Sequence, residues 1–296
     1  METEPNNRDF SIPRPLPWQQ SFLAKDRALD PRLIVLCLGR RAGKTFGVLL
    51  WLLLNRLGLL NGHSVAWIGP SDKVIAESRS WIKAWIAPLI VGPSPGDLGF
   101  RLANGAVIDW WSAAPGAKQP VRSRGYSCIA IDEAVFIPNL RPLIDASIRP
   151  ALALAQGKLC LAGTPFGRND FYWYFEEAKR TGLCLHAGSA INPNMRASEL
   201  ERLRRNTEPL TYAQEYEAAW VDREGALLKR EQIRYGVPPA VETFQTLAFG
   251  LDIALSSKQR ADWTALVVAG VDRDDKHWVL WATRWRSDWP TTFARC

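Results

Sequence analysis

The feature that most constrains the fold of this chain is a short glycine-bearing turn between an apolar strand and a helix. Residues 33–38 (LIVLCL) form a continuous apolar run, which is typical of a strand buried on both faces of a sheet. Residues 39–45 (GRRAGKT) follow at once and open an apolar stretch of helical length over 44–59. This order of elements is what a phosphate-binding loop requires. The sequence therefore predicts an α/β domain that holds an oligophosphate.

The residues of this loop suit phosphate and magnesium chemistry. Backbone N–H groups at the helix start are expected to surround the phosphate oxygens. The nucleotide-binding residues predicted in the loop are Gly39, Arg40, Ala42, Gly43, Lys44 and Thr45. Lys44 is expected to reach the β and γ phosphates of ATP, and the Thr45 hydroxyl to bind Mg²⁺. The usual pattern has its first glycine one residue earlier, where this chain has Leu38. From the loop alone, a chance GKT at a helix start stays open.

A second apolar strand ends in two carboxylates. Residues 127–131 (SCIAI) are followed directly by Asp132 and Glu133, about ninety residues after the loop. Asp132 is expected to hold the Mg²⁺ shell, and Glu133 to orient and deprotonate the attacking water. A hydrolase that uses water needs this second acid, so the pair predicts ATP hydrolysis.

Three weaker signals agree with an ATP site. Gly163 and Thr164 follow the next strand, where a hydroxyl can sense the γ-phosphate, although a plain exit from the strand would read the same way. Gln19 precedes the loop strand and can read the adenine edge, or simply begin a packed helix. The arginines that are candidates to stabilise transition-state charge, or that lie on a solvated surface, are Arg40, Arg41, Arg122 and Arg124.

Composition and charge limit the classes of partner and the cellular compartment expected for this chain. The chain has 37 basic and 30 acidic residues, a net charge of +7, and 27 of the basic residues are arginine. Before Tyr235 there are 30 basic and 23 acidic residues, against 7 of each after it, so a polyanion is expected to bind mainly to the first part. A generally basic surface would give the same balance. The five cysteines lack CxxC spacing, which predicts reduced thiols and a cytoplasmic protein. The longest apolar stretch, 46–60, is interrupted by Asn55 and Arg56, and no membrane segment is expected.

The remaining pattern predicts a doubly wound, mostly parallel sheet. Further apolar strands are expected over 64–69, 158–162 and 183–187, and they alternate with segments of helical spacing. Asn104-Gly105 predicts a hairpin between 100–102 and 107–111. The helices predicted between and after the strands cover 72–90, 139–155, 169–180 and 197–219.

The pattern changes near residue 240. Residues 236–243 (GVPPAVET) read as a linker, and three successive strands follow over 246–253, 264–271 and 277–285. The predicted division is an N-terminal lead over 1–30, a P-loop ATPase domain over 31–235, a linker over 236–245 and a second domain over 246–296.

Taken in order, these motifs resemble the large terminase subunit of tailed bacteriophages, the ATP-driven motor of DNA packaging. The resemblance extends from about Trp18 to Trp285. The motifs that carry it are PWQQSFL, LGRRAGKT, VAWIGPSDKVIAESRSW, RSRGYSCIAIDEA, LAGTPFGRNDFYW, INPNM and TYAQEYEAAWVDREGALL.

The resemblance implies roles for individual residues. It implies a phosphate-binding lysine at Lys44, a catalytic Glu133, a coupling motif at Gly163 and Thr164, and an adenine contact from Gln19. Arg122 resembles an arginine given to a neighbouring subunit, whereas Arg40 or Arg41 would act within one subunit, and the choice between them stays open. Double-stranded DNA, a portal protein, a small terminase subunit and self-association into a ring are the partners implied, in the host cytoplasm and outside the finished virion.

The resemblance also implies a nuclease domain like ribonuclease H after the linker. Its first strand would carry the metal-binding Asp252, with Asp262 near the next strand, and Mg²⁺ or Mn²⁺ as the metal. The family's other metal carboxylates lie on later strands, so we expect an incomplete domain, a C-terminally truncated chain and no endonuclease activity. The alternative is a helicase or translocase of superfamily-two type, unconnected with packaging, which would need a second ATPase lobe after residue 240. A degenerate loop in a binding module is a further alternative.

Overall fold

The computed structural model describes residues 10–114, 121, 124–221, 234–253 and 263–285. The chain divides into two compact units, Met1–Gly225 and Ala226–Cys296. The segment predicted as a linker, 236–245, therefore falls within the second unit.

The first unit is built on one sheet, to which eight of the described strands belong. Their order is β3-β4-β5-β2-β6-β7-β1-β8. The neighbours from β5 through β2, β6, β7 and β1 to β8 pair in parallel, whereas β3 pairs with β4, and β4 with β5, in antiparallel fashion. The doubly wound, mostly parallel sheet is therefore confirmed. The strands are β1 Leu33–Leu38, β2 Val65–Gly69, β3 Ile90–Pro93, β4 Gly99–Leu102, β5 Val107–Ser112, β6 Cys128–Ile131, β7 Lys158–Gly163 and β8 Leu183–Ala187.

Helices cover both faces of this sheet. They are α1 Pro17–Leu29, α2 Lys44–Leu54, α3 Asp72–Ile86, α4 Leu140–Leu143, α5 Arg149–Ala153, α6 Asp170–Thr181, α7 Ala197–Asn206 and α8 Pro209–Glu215. Successive residues of β1 alternate between two buried clusters: Ile34 and Leu36 belong to one, Val35 and Cys37 to the other. This alternation explains the unbroken apolar run, because both faces of the strand are buried. The cysteines described as free thiols are Cys37, Cys128, Cys160 and Cys184.

Several helices are shorter than their apolar patterns predict. Helix α2 ends at Leu54 because Asn55 leaves the helical conformation, donates from its side-chain amide to Trp51 O at 2.6 Å and accepts from Leu57 N at 2.7 Å. In the helix predicted over 139–155, a π-helical segment at Ile144–Ile148 separates α4 from α5. Pro150 follows closely and has no N–H to donate to an α-helical hydrogen bond.

The helix predicted over 197–219 is two helices. Pro209 begins α8, and the Glu208 side chain caps it by accepting from Leu210 N at 2.8 Å and Thr211 N at 2.6 Å. Strand β3 was not predicted, since it is short and contains Gly92 and Pro93.

The second unit contains the three strands predicted for it. They are β9 Phe244–Asp252, β10 Thr264–Asp272 and β11 His277–Trp285, and they form an antiparallel sheet in the order β11-β10-β9. Whether this sheet begins a nuclease domain like ribonuclease H stays a prediction.

Candidate functional site

The predicted phosphate and magnesium residues meet at one edge of the large sheet. Strands β6, β7 and β1 are neighbours, and their carboxyl ends open into one cavity of about 430 Å³. Loops at the carboxyl ends of parallel strands are where α/β folds place their ligand sites. The polar residues that line the cavity are Arg40, Arg41, Lys44, Thr45, Glu77, Asp132, Glu133, Thr164 and Glu215.

The loop before α2 is held by hydrogen bonds to its carbonyl oxygens. Four donors from distant parts of the chain contact four successive carbonyls: Ser189 Oγ to Arg40 (2.6 Å), Asn192 Nδ2 to Arg41 (2.7 Å), Trp18 Nε1 to Ala42 (3.0 Å) and Gln19 Nε2 to Gly43 (3.0 Å). None of these donors lines the cavity. The carbonyl dipoles are therefore engaged away from the cavity, where an anion is expected to bind.

Three amide groups of the loop have hydrogen-bond partners within the protein. Gly39 N–H donates to Ala187 O at 3.0 Å, Arg40 N–H to Glu215 O at 2.6 Å and Ala42 N–H to Gly39 O at 3.3 Å. These three amides are therefore bonded within the protein, and their contact with a phosphate stays a prediction.

The helix start supplies the remaining amide donors. Gly43 has φ +88° and caps α2, so that Lys44 and Thr45 occupy the first turn. Amides of a first helical turn have no intrahelical carbonyl to bond, and together with the helix dipole they favour a bound anion.

Lys44 lies buried at the floor of the cavity, with 7% of its surface exposed. Its Nζ donates to Leu38 O (3.2 Å), Gly39 O (3.1 Å) and Thr164 Oγ1 (2.8 Å), which are all neutral oxygens. Burial lowers the pKa of Lys44, and the charges of Glu133 and Asp132 oppose that shift. A buried cation with neutral partners is suited to receive phosphate charge.

Asp132 and Thr45 make the contact on which the predicted magnesium site depends. Asp132 Oδ2 accepts from Thr45 Oγ1 at 2.8 Å, and the bond joins the residue directly after β6 to the first turn of α2. Its other oxygen, Oδ1, is buried and has no hydrogen-bond partner within the described part of the chain. Burial, followed by the charge of Glu133, raises the pKa of Asp132 to about 7. A carboxylate and a hydroxyl in contact, with one buried oxygen unsatisfied, fit Mg²⁺, which takes oxygen ligands and keeps several waters.

Glu133 turns into the same cavity. Its backbone adopts φ +48°, a left-handed conformation that costs a residue with a side chain roughly 1 kcal/mol. Strained residues of this kind concentrate at functional sites. The position next to Asp132 agrees with the predicted catalytic base, and that role stays a prediction.

The predicted coupling residues, Gly163 and Thr164, lie at the carboxyl end of β7, where Thr164 contacts Lys44. Thr164 Oγ1 accepts from Lys44 and donates to Leu38 O at 3.0 Å, which joins the end of β7 to the end of β1. A Cβ on Gly163 would lie 3.2 Å from the Phe171 ring, so glycine lets α6 pack closely there.

Gln19 is fully buried, and both ends of its amide are used. Its Oε1 accepts from Leu16 N at 2.7 Å, and its Nε2 donates to Gly43 O. In this geometry Gln19 fixes the start of α2, and the adenine contact stays a prediction.

The candidate arginines differ in their surroundings. Arg40 Nε donates to Glu215 Oε2, and this bond raises the pKa of Arg40. Arg41 has φ +60°, is exposed and lines the cavity. Arg124 is half-buried and bonded to Asp109 Oδ2 at 2.6 Å and to Pro95 O, so it is held away from the cavity lining. Arg122 lies outside the described residues.

Three contributors to the site were not predicted from the sequence. Ser189, Asn192 and Glu215 hold the loop, although they lie about 150 to 175 positions from it along the chain. Asn192 and Glu215 belong to the INPNM and TYAQEYEAAW motifs, which were recognised as sequence patterns without a function for each residue.

The second unit carries Asp252 at the end of β9, exposed and paired in register with Ala265. Asp262 lies outside the described residues. Within the described ranges, no group of three or more His, Cys, Asp or Glu side chains is placed to hold a metal ion. None of the helices described here is long and apolar enough to cross a membrane.

Comparison with known proteins gives one curated relative and several structures. The large terminase subunit of Escherichia phage T5 is 28% identical over 208 residues, which cover 67% of this chain and 46% of that protein. The chain thus matches about half the length of this relative. No family model matches the chain.

Two solved structures share the fold. The large terminase of a thermophilic bacteriophage, in complex with ADP, superposes with a TM-score of 0.58 at 13% identity, over 92% of this chain and 68% of that one. The large terminase of bacteriophage HK97 gives a TM-score of 0.56 at 18% identity, over 97% and 67%. The chain is similar in sequence to one phage large terminase and has the fold of others, which confirms the resemblance predicted from the motifs.

Proposed function

We propose that this chain is an ATP-hydrolysing motor subunit of phage DNA packaging, and that its first unit holds the ATPase site. The observation that carries the proposal is the hydrogen bond between Thr45 and Asp132, beside Lys44 and Glu133 in one cavity. Such a meeting of loop hydroxyl and strand-end carboxylate is the arrangement that a nucleotide with Mg²⁺ requires.

Each side chain has a distinct task in this reaction. The first turn of α2 binds phosphate oxygens through its amides, and Lys44 exchanges its neutral partners for the β and γ phosphates. Thr45 and Asp132 would hold Mg²⁺, which neutralises charge on the β and γ phosphate oxygens when bound. Glu133 orients a water and accepts its proton as the water attacks the γ phosphorus, while the bond from that phosphorus to the bridging oxygen breaks and ADP leaves with phosphate as the second product. Thr164, which contacts Lys44, would sense the loss of the γ-phosphate.

Arg40 and Arg41 both line the cavity and are candidates to stabilise transition-state charge within one subunit. Arg122 remains the candidate to act on a neighbouring subunit. If Arg122 acts in that way, turnover per subunit rises with protein concentration, and a mixture of Arg122→Ala and Lys44→Ala recovers activity. A concentration-independent rate that is lost only on changing Arg40 or Arg41 would place the arginine within the subunit.

The ATPase assignment is tested by a matched pair of substitutions in the cavity. Glu133→Gln keeps shape and hydrogen-bonding capacity but removes the base, so turnover should fall by about 10² to 10⁴-fold while ATP binding is retained. Glu77→Gln makes the same chemical change at another residue of the lining, and turnover should stay within about threefold of the unaltered protein. Equal turnover in the two variants would refute the assignment.

The DNA partner is proposed from charge and from the resemblance of the motifs to phage large terminases. All of the excess positive charge lies before Tyr235, and no base-reading motif is visible there, so we expect contacts to the phosphates of duplex DNA without sequence preference. Titration of two unrelated labelled duplexes at several salt concentrations should give equal affinities that fall steeply with salt. A marked preference for one duplex, or affinity independent of salt, would contradict this.

The further partners that we propose are a portal protein, a small terminase subunit and other copies of this chain in a ring. The place of action that we propose is the host cytoplasm. For the second unit, we propose that Asp252 belongs to a metal-dependent nuclease site that uses Mg²⁺ or Mn²⁺. We expect these 296 residues not to nick supercoiled plasmid with either ion. Nicking that disappears on Asp252→Ala would show that the acids present complete a working site.

A further inference from the structure

A second cavity, of about 540 Å³, lies at the amino ends of two strands of the large sheet. Leu33 begins β1 and Leu159 is the second residue of β7, and both line this cavity. The proposed ATP site lies at the carboxyl ends of the same strands, about 20 Å away along β1. The volume is within the range of small-molecule sites, roughly 300 to 1,000 Å³. The second cavity is therefore separate from the first and large enough for an organic ligand.

Two polar atoms in the lining of this cavity are buried and unsatisfied. Tyr174, on α6, is fully buried, and its hydroxyl has no hydrogen-bond partner among the described residues. Glu177 follows about one turn later and also lines the cavity, and its Oε2 is likewise buried without a partner there. Buried polar groups in folded proteins are normally hydrogen-bonded, because leaving them unpaired costs free energy. The pair therefore indicates bonds that a ligand would complete.

The rim of the cavity carries two exposed arginines. Arg149 Nε donates to Asp145 Oδ1 at 3.0 Å, and Arg32 Nη2 donates to Gln156 Oε1 at 3.1 Å. A guanidinium has five N–H donors, so each of these bonds leaves donors for an anion. The Arg149 side chain is 56% exposed, so it can turn towards an anion at the rim and open the way to the floor.

The wall between the rim and the unsatisfied pair is apolar, and its residues include Leu33, Leu152 and Leu159. Glu177 disfavours a plain anion in the cavity, and the two rim arginines disfavour a plain cation. A suitable ligand has a negative group at one end, an N–H donor at the other and a flat apolar-faced body between them. A nucleoside monophosphate whose base carries an amine has all three parts.

We propose that this cavity binds a nucleoside monophosphate with an amine-bearing base. The phosphate contacts the guanidinium groups of Arg32 and Arg149 at the rim. The base lies against the leucines and donates an N–H to Glu177 Oε2, beside the Tyr174 hydroxyl. Guanine presents two adjacent N–H groups of the kind that a carboxylate accepts, so GMP is the probe of choice. The proposal goes beyond the ATPase function and does not depend on it.

The first test measures GMP binding by calorimetry. GMP should bind the unaltered protein with a Kd below about 1 mM. Inorganic phosphate and guanosine should each give a Kd at least about tenfold higher, because each makes only part of the contacts. Lys44→Met alters the ATP cavity alone and should leave the Kd for GMP unchanged. Absence of GMP binding to the unaltered protein, or its loss in Lys44→Met, would overturn the proposal.

The second test compares two neighbouring glutamates of α6. Glu177→Gln keeps the shape of the side chain but removes the charge that strengthens its bond to the base, so the Kd for GMP should rise by about tenfold. The matched control is Glu176→Gln, which changes a glutamate that pairs with Lys179 on the same helix, and its Kd should equal that of the unaltered protein. Equal affinities in the two variants would overturn the proposal.

Tyr174→Phe separates a role in binding from a role in the fold. The hydroxyl has no partner among the described residues, so its removal should leave the urea midpoint unchanged or higher. The Kd for GMP should rise by about fivefold, because the ligand loses a hydrogen bond. A lower urea midpoint with an unchanged Kd would mean that the hydroxyl serves the fold, and would overturn the proposal.

Discussion

Among the described residues of the first unit, two lysines are buried, and they have opposite kinds of partner. Lys158 begins β7 and is 1% exposed, with Asp26 Oδ1 and Asp30 Oδ1 each 2.8 Å from its Nζ. Lys44 is 7% exposed and has carbonyl and hydroxyl oxygens as its hydrogen-bond partners. The first charge is neutralised inside the fold, whereas we propose that the second is held for the charge of a phosphate from outside.

The aspartates at the two places show the same contrast. Both oxygens of Asp26 are used, by Lys158 and by Trp51 Nε1 at 3.0 Å. Asp132 has one oxygen on Thr45 and one buried without a partner within the described residues, and its pKa is raised to about 7. A buried charge that the fold satisfies is structural, and one that it leaves unsatisfied indicates a ligand.

The largest effect on stability is expected at Lys158. Lys158→Met leaves the Asp26 carboxylate buried without its counter-charge and should lower the free energy of unfolding by about 3–5 kcal/mol. The matched control is Lys179→Met, which removes an exposed lysine that pairs with Glu176 and should change it by less than about 1 kcal/mol. Urea denaturation measures both. A similarly small loss of stability in the two variants would mean that Asp26 does not depend on the charge of Lys158, and the contrast with Lys44 would not hold.

The second prediction concerns Asp132, whose substitution should raise the free energy of unfolding rather than lower it. Its folded pKa lies above its unfolded value, so between about pH 4 and pH 7 the folded protein binds more protons than the unfolded chain, and its stability falls as pH rises. Asp132→Asn removes this cost.

Without metal or nucleotide, the asparagine variant should be more stable than the unaltered protein by about 2–4 kcal/mol at pH 8, and by much less near pH 4. Urea denaturation in a chelating buffer at the two pH values checks this. A variant that is less stable at pH 8 would mean that the carboxylate is satisfied in the folded protein.

The smallest effect is expected where the loop carbonyls are held. Ser189→Ala removes the bond to Arg40 O, worth about 1 kcal/mol, so the loop is less well ordered and the Kd for ADP should rise by about fivefold. Ser80→Ala removes an exposed hydroxyl bond within α3 and should leave the Kd unchanged. Equal affinities in the two variants would mean that these carbonyl bonds do not organise the site.

The sheet could be predicted from the sequence because its central strands are buried on both faces and therefore appear as unbroken apolar runs. The ends of helices were harder to predict, since Asn55 and Glu208 act through side-chain bonds that apolar periodicity does not reveal. Asp132, Glu133 and Lys44 could be predicted because each follows an apolar strand directly or after one short loop, so the sequence itself shows the motif. Ser189, Asn192 and Glu215 were not, because only folding brings them to the loop.

ATP turnover by Lys44→Met tests most directly whether the charge of Lys44 is held for phosphate. We predict that turnover falls by at least about a hundredfold, while the free energy of unfolding without nucleotide stays the same or rises, because a buried charge with neutral partners has been removed. Lys179→Met should keep full turnover. Turnover in Lys44→Met within about tenfold of the unaltered protein, or a loss of stability as large as that in Lys158→Met, would mean that Lys44 is not held for phosphate.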